Sequence, residues 1–214
     1  MANYLNTTLE EMYRWFDLIN QKYHENSLPK PVITIQKTRK GNYGHCTVKK
    51  VWASYADRDK ENPDESTCCY EINISAQSLD RPVNDLVETL AHECVHLHNN
   101  VMGVRDCNGK KHNKHFKELA EKCGMTCEKS DAYGYGLTSP TDELTAFINN
   151  VVKPDEKKIT YFFFTPPSEP KERKLKVKYT YHCATCNRKF KLKEEFPLIC
   201  GSCGNPFEVD KEEG

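Results

Sequence analysis

The chain has 214 residues, 37% of them hydrophobic, and its 31 basic side chains are matched by 31 acidic ones. A chain of this length buries one core of about 120 to 150 residues and carries a small second unit, so two domains are expected. Zero formal charge removes any global electrostatic case for a nucleic-acid partner and leaves only local ones.

The opening MANYLNTTLEEMYRWF lacks a basic stretch followed by an apolar run, and the longest hydrophobic stretch, ITYFFF, is too short to span a bilayer. A soluble cytoplasmic protein without membrane contact is expected, nuclear if the source is eukaryotic. Its eleven cysteines are then reduced thiols or metal ligands. Thr7 or Thr8, followed by Glu10 or Glu11, resembles a capping box, and Leu9, Met12, Tyr13, Phe16, Ile19 and Tyr23 recur at helical spacing. VITIQK, the segment around CTVKKVWASY, and CYEINISA read as three short strands.

A second helix is predicted from near Asp80 and Pro82. With His92 at 0° on a helical wheel, Val83, Leu86, Val87, Leu90, Cys94, Leu97 and Val101 fall between roughly 120° and 220°, and His96 at about 40°. One face packs on a sheet and the opposite face holds His92 and His96. His98, near 240° by the same wheel, is a flank residue. A third helix is predicted from about His112 to Cys123, ended by Gly124, with His112, His115, Phe116, Leu119 and Cys123 on one stripe. Beyond Asp131, AYGYGLTSPTDELTAFI is less regular. These patterns divide the chain into a domain over 1–152, a linker with a possible strand over 153–174, and a small unit over 175–214.

His92, Glu93 and His96 form HExxH. Histidines four apart on a helix are about 6 Å apart along its axis and nearly in register, so both imidazoles can bind one Zn²⁺. Glu93 is then placed to take a proton from water that the metal acidifies, and the expected reaction is amide hydrolysis. The HExxHxxGxxH pattern fails at Asn99 and Met102. Glu118 or Glu121 could supply a third ligand, but His112 and His115 in KHNKHF are the stronger candidates. Tyr133 and Tyr135 are possible oxyanion donors, although core or loop roles suit them better.

Cys183, Cys186, Cys200 and Cys203 form two CxxC knuckles separated by 13 residues. That spacing signals a closed tetrahedral site of four thiolates, structural because no coordination position stays open. A unit of about 40 residues hardly folds without such a metal. Two zinc ions per chain are therefore expected, one catalytic and one structural.

A helix and three strands leading into HExxH, a later histidine followed by an aromatic, and a four-cysteine ribbon together resemble the SprT-like metalloproteases. The resemblance spans the chain from the first helix to about Val209. Family members open the following helix with a histidine, two small or basic residues, an acidic residue and an aromatic. Aligned on HNKHF, His112 takes the ligand position and His115 the acidic one, so His115 stays the alternative ligand. The resemblance implies an α+β zincin-like domain followed by a β zinc ribbon, with zinc on His92, His96 and His112 and Glu93 as general base. It also implies an endopeptidase acting on proteins bound or crosslinked to DNA.

From Lys171 to Lys193 there are nine basic residues, among them Lys174, Lys176, Lys178, Arg188, Lys189 and Lys191, against the single acid Glu172. Tyr179, Tyr181 and Phe190 are interleaved with them. Charges that meet phosphates and aromatics that stack on bases suit single-stranded DNA, and with the resemblance they favour it over a merely solvated basic face. Lys110, Lys111, Lys114 and Lys117 lie close to the expected active site. A zinc peptidase without a DNA role and a non-catalytic zinc-dependent binding module are the competing readings. Oligomeric state and cleavage specificity are not legible.

Overall fold

Helix α1 (Tyr4–His24) buries Met12, Trp15, Phe16 and Ile19 along one face. It begins before the threonines read as a capping box. Thr8 is buried inside the helix, and its hydroxyl donates to the Lys158 carbonyl at 2.7 Å. Glu11, also buried, accepts from Arg14, from Trp15 Nε1 at 2.9 Å, from Lys158 Nζ at 2.9 Å and from the Asp155 N–H at 3.3 Å. Burial alone would push this carboxyl up, but the donors on Arg14, Lys158, Trp15 and the Asp155 backbone outweigh it and hold it down at about 2. These bonds tie α1 to the distant 153–158 segment. The computed structural model describes residues 4–39, 41–166 and 177–213.

Strands β1 (Val32–Gln36), β2 (Gly44–Cys46) and β3 (Glu71–Ser75) form a sheet in the order β1-β3-β2. β1 runs parallel to β3, with Ile33 beside Ile72 and Ile35 beside Ile74, and β2 runs antiparallel to it. Ile72, Asn73, Ile74 and Ser75 are all buried, as a central strand covered on both faces requires. The second strand ends at Cys46, earlier than the sequence suggested. Beyond it the Thr47 N–H donates to the Glu71 carbonyl of β3 at 2.9 Å, and Trp52 makes an isolated bridge to Cys69, just before that strand.

Helix α2 (Val83–Val101) starts directly after Pro82. Leu86, Val87, Leu90, Cys94 and Leu97 are buried as the wheel predicts, but so are Thr89, Ala91, Glu93, Val95 and Asn99. The helix is therefore enclosed on nearly every side, because α1, β2 and later elements all pack on it.

Those later elements are β4 (Cys107–Asn108), β5 (Lys111–His112), α3 (Lys114–Lys122), β6 (Met125–Ser130), β7 (Gly134–Pro140) and α4 (Asp142–Phe147). The strands lie in the order β4-β5-β7-β6, with β6 and β7 an antiparallel hairpin. The segment read as irregular thus supplies a strand and a helix, the latter capped by Thr141, whose hydroxyl accepts from the Leu144 N–H. The helix expected from His112 starts two residues later. Asn113 is its cap and accepts from the N–H groups of His115 and Phe116. His112 lies instead on β5, bridged to Gly134 of β7. Residues 159–166 contain no strand.

By compactness the chain divides into residues 1–165 and 166–214. In the second unit, β8 (Val177–His182), β9 (Lys189–Leu192) and β10 (Glu208–Glu213) form an antiparallel sheet in the order β10-β8-β9. Tyr181 is its core: the ring stacks on Phe190 with centroids 5.2 Å apart, and the hydroxyl donates to the Phe196 carbonyl at 3.0 Å. Two turns of the same build flank the sheet. Asn187 N–H donates to the Cys183 carbonyl at 2.9 Å, and Gly204 N–H to the Cys200 carbonyl at 2.8 Å, both residues in the left-handed region. Among the described residues, no helix is long and apolar enough to cross a membrane.

Candidate metal centre

His92 and His96 project from adjacent turns of α2 and meet His112, which reaches them from β5. His112 Nε2 is 3.2 Å from His92 Nε2 and 3.0 Å from His96 Nε2. The ring of Phe116, fully buried in α3, lies 4.4 to 4.7 Å from all three imidazole centroids and forms the floor of the cluster. The other ring nitrogens are occupied. Thr138 Oγ1 is 3.0 Å from His92 Nδ1, Asp106 Oδ2 is 2.7 Å from His96 Nδ1, and the Tyr133 carbonyl is 3.3 Å from His112 Nδ1.

Gly136 of β7 explains how His112 fits. A Cβ there would come within 2.3 Å of His112 Nδ1, so only glycine lets the strand pass so close to the ring. Gly44, on the edge strand β2, does the same for Glu93, where a Cβ would approach Oε1 to 2.9 Å.

Glu93 is buried, and its Oε2 has no hydrogen-bond partner among the described residues. Burial, opposed by His96 and by the Cys46 backbone N–H, raises its carboxyl to about 7. Burial likewise lowers His92, helped by repulsion from His96 and His112, and it brings His112 down to about 4. His96 differs: burial works to lower it, but the Asp106 carboxylate and Glu93 outweigh burial and raise it. The group thus comprises two imidazoles held neutral, His92 and His112, a third that its carboxylate neighbours favour protonating, and a carboxyl able to hold or release a proton near neutrality.

His115 does not join the cluster; it is exposed on α3, as are Glu118 and Glu121. His98 is also elsewhere, 3.1 Å from His24 through their Nδ1 atoms. Tyr133 meets the site through its backbone, and Tyr135 lies against Lys117. Sequence reasoning missed Asp106 and Thr138. Neither has a motif spacing, since each reaches its histidine only through the fold.

The second group is Cys183, Cys186, Cys200 and Cys203, whose sulfurs lie within 4.8 Å of one another. Cys183 and Cys203 Sγ are 3.4 Å apart, as are Cys186 and Cys200 Sγ. The backbone N–H of Ser202, with further N–H and thiol donors, lowers Cys200 to about 6, while the hydrogen bond between Cys186 and Cys200 raises the Cys186 thiol to about 12.

Of the residues read as a nucleic-acid surface, Lys178, Arg188, Lys189 and Lys191 are exposed. Lys174 and Lys176 lie outside the described residues. Tyr181 must be withdrawn: at 0% exposure it cannot stack on a base. Phe190 and Phe196, at 37% and 47%, are the exposed aromatics of this unit. Cross-strand partners share a face, which puts Glu208 and Asp210 of β10 beside the β8 and β9 lysines, and His182 Nε2 is 2.8 Å from Glu208 Oε2. The face is therefore mixed in charge, although the sequence window was almost purely basic.

The SprT-like family model matches residues 12–135, a span that holds α1 from Met12 onward, the first sheet, all three clustered histidines and Glu93. No curated protein and no solved structure matches the chain. The match takes in more than half of the chain and the whole histidine cluster, so the protein belongs to the SprT-like family, membership that suggests a metalloprotease-like function.

Proposed function

We propose that the protein is a zinc-dependent endopeptidase with a zincin-like catalytic domain over 1–152 and a zinc ribbon over 175–214, acting on proteins held on DNA. The observation that carries the reading is the convergence of three imidazole Nε2 atoms beside the buried, unpartnered Oε2 of Glu93. Nitrogens bound to tetrahedral zinc are about 3.3 Å apart, given bonds of about 2.0 to 2.1 Å. The spacings of 3.0 and 3.2 Å fit that edge. Sulfurs around zinc are about 3.8 Å apart by the same geometry. The four thiols, two pairs of them 3.4 Å apart and all within 4.8 Å of one another, suit a closed structural site.

His92, His96 and His112 would hold the catalytic ion, which when bound supplies Lewis-acid polarisation of the scissile carbonyl and acidification of the attacking water. Glu93 moves the proton. Its Oε2 takes one from water as the oxygen adds to the carbonyl carbon, and returns it to the amide nitrogen as the C–N bond breaks. Gly44 and the Cys46 backbone fix the carboxyl while this happens. Phe116 excludes water from the rear of the histidines.

DNA enters through the exposed Lys178, Arg188, Lys189 and Lys191, whose charges meet the phosphates of a single strand, while Phe190 lies beside Tyr181 on the opposite face of the sheet. The acids Glu208 and Asp210 on the same face favour a second reading, a peptidase indifferent to DNA.

The test is cleavage of a basic DNA-binding protein by wild type and Glu93→Gln, each with and without single-stranded DNA. Cleavage by wild type alone, and only with DNA, supports the proposal. Cleavage regardless of DNA selects the second reading, and equal behaviour of Glu93→Gln overturns both. His112→Ala is expected to remove one zinc per chain, whereas His115→Ala removes none.

A further inference from the structure

Asn99 follows His96 by three positions, so it sits one turn along the same side of α2. It is buried, and it grips the chain that leaves the helix. Its carbonyl accepts from the Val104 N–H at 2.8 Å, closing the turn, and its Nδ2 donates to Asp106 Oδ2 at 3.2 Å. Asp106, 6% exposed, directs that same oxygen at His96 Nδ1, 2.7 Å away. The Asp106 backbone is engaged as well. Its carbonyl accepts from the Asn113 N–H at 2.8 Å, and the Asn113 side chain donates to the Arg105 carbonyl at 2.8 Å. Asn113 directly follows His112. One residue thus touches the segments that present two of the three histidines.

We propose that Asp106 is the positioning residue of the histidine cluster: its carboxylate keeps the His96 proton on Nδ1 and leaves Nε2 bare for metal, while its backbone sets the segment bearing His112. The inference rests on the zinc reading above. An imidazole binds metal through an unprotonated nitrogen, so its other N–H needs an acceptor. Thr138 gives His92 a hydroxyl that can donate or accept, and Tyr133 gives His112 a carbonyl at 3.3 Å. Only His96, among the three, is offered a carboxylate. Asn99 in turn holds that carboxylate in place, which gives a function to the asparagine standing where the longer zincin pattern has glycine.

The test uses the full chain. Zinc affinity is measured by competition with a chromophoric chelator, and the cobalt-substituted site by its visible spectrum, for wild type, Asp106→Ala, Asp106→Asn and Asn99→Ala. Asp106→Ala is expected to weaken one zinc site by about 10- to 100-fold, leave the cysteine site unchanged and alter the cobalt spectrum. Asp106→Asn keeps an acceptor oxygen and recovers part of the loss, and Asn99→Ala loses less than Asp106→Ala. Wild-type affinity and spectrum in Asp106→Asn and Asp106→Ala would overturn the proposal. If Asp106→Ala does not fold, the near-isosteric Asp106→Asn decides alone.

His96, Asp106 and Cys107 also lie close enough to hold an ion themselves. A third metal ion in wild type that Asp106→Asn removes would make Asp106 a ligand and overturn its positioning role. Failure of the underlying reading looks different: wild type would then hold a single zinc that His92→Ala leaves in place.

Discussion

The histidine cluster and the cysteine cluster solve the same problem from opposite directions. The cysteines come from two short turns of one small unit, close in sequence, and among the described residues Tyr181 is the one large side chain buried near them. The histidines come from α2 and β5, and their orientation depends on β7, α3 and the loop carrying Asp106. The lesson is that a closed site can be written locally, whereas an open reactive site needs a folded unit to hold its ligands still. On the proposed zinc reading the ribbon depends on its metal, and the larger unit folds first and binds afterwards.

Chelation should break this comparison most visibly. Structural zinc contributes about 10 to 16 kcal/mol in small cysteine-rich modules, far more than so small a core supplies. Removing metal is expected to abolish the dispersed NMR resonances of Tyr181 and Phe190 while those of Trp15 and Phe16 persist. Collapse of both sets would mean that the larger unit also needs metal to fold.

Glu93→Gln comes next, with cleavage lowered by about 10²- to 10⁴-fold and metal content at both sites unchanged. Loss of metal in that variant would assign Glu93 to binding instead of proton transfer.

The dependence on remote contacts can be sharpened at Glu11. Its folded pKa, about 2, lies below the ordinary 4.5, so its contribution is complete above about 4.5 and lost as pH falls toward 2. Glu11→Gln should cost the larger unit about 3 kcal/mol at neutral pH, and the gap to wild type should close in strong acid. Denaturant titrations at several pH values measure it, and a gap independent of pH would show that the charge is not what matters.

The smallest expected effect is at Thr138. Thr138→Val removes a neutral partner of His92, so zinc affinity should fall less than for Asp106→Ala, by under about 10-fold.

The HExxH helix was legible because its apolar spacing and its histidines report the same 3.6-residue period. The choice between His112 and His115 was not. Both suit a helical stripe, and the decision is made by the pairing of His112 with Gly134 and by Asn113 capping the helix after it. Tyr181 was misread for a different reason. A count of charges over Lys171 to Lys193 ignores the two-residue alternation in KYTYH, which places Tyr179 and Tyr181 on one face and Lys178 on the other. That signal was present. The acids of β10 and the carboxylate of Asp106 had none, since strand pairing and a loop return bring them in.

The two cysteine turns have a further consequence. They share one backbone path, with Asn187 and Gly204 at equivalent left-handed positions. Asparagine is among the few residues with a side chain that tolerate that conformation. The hexapeptides CATCNR and CGSCGN are therefore interchangeable parts, and replacing the first with the second removes Arg188 while keeping every thiol and turn. Such a cassette exchange would separate what the ribbon's charge does from what its folding does.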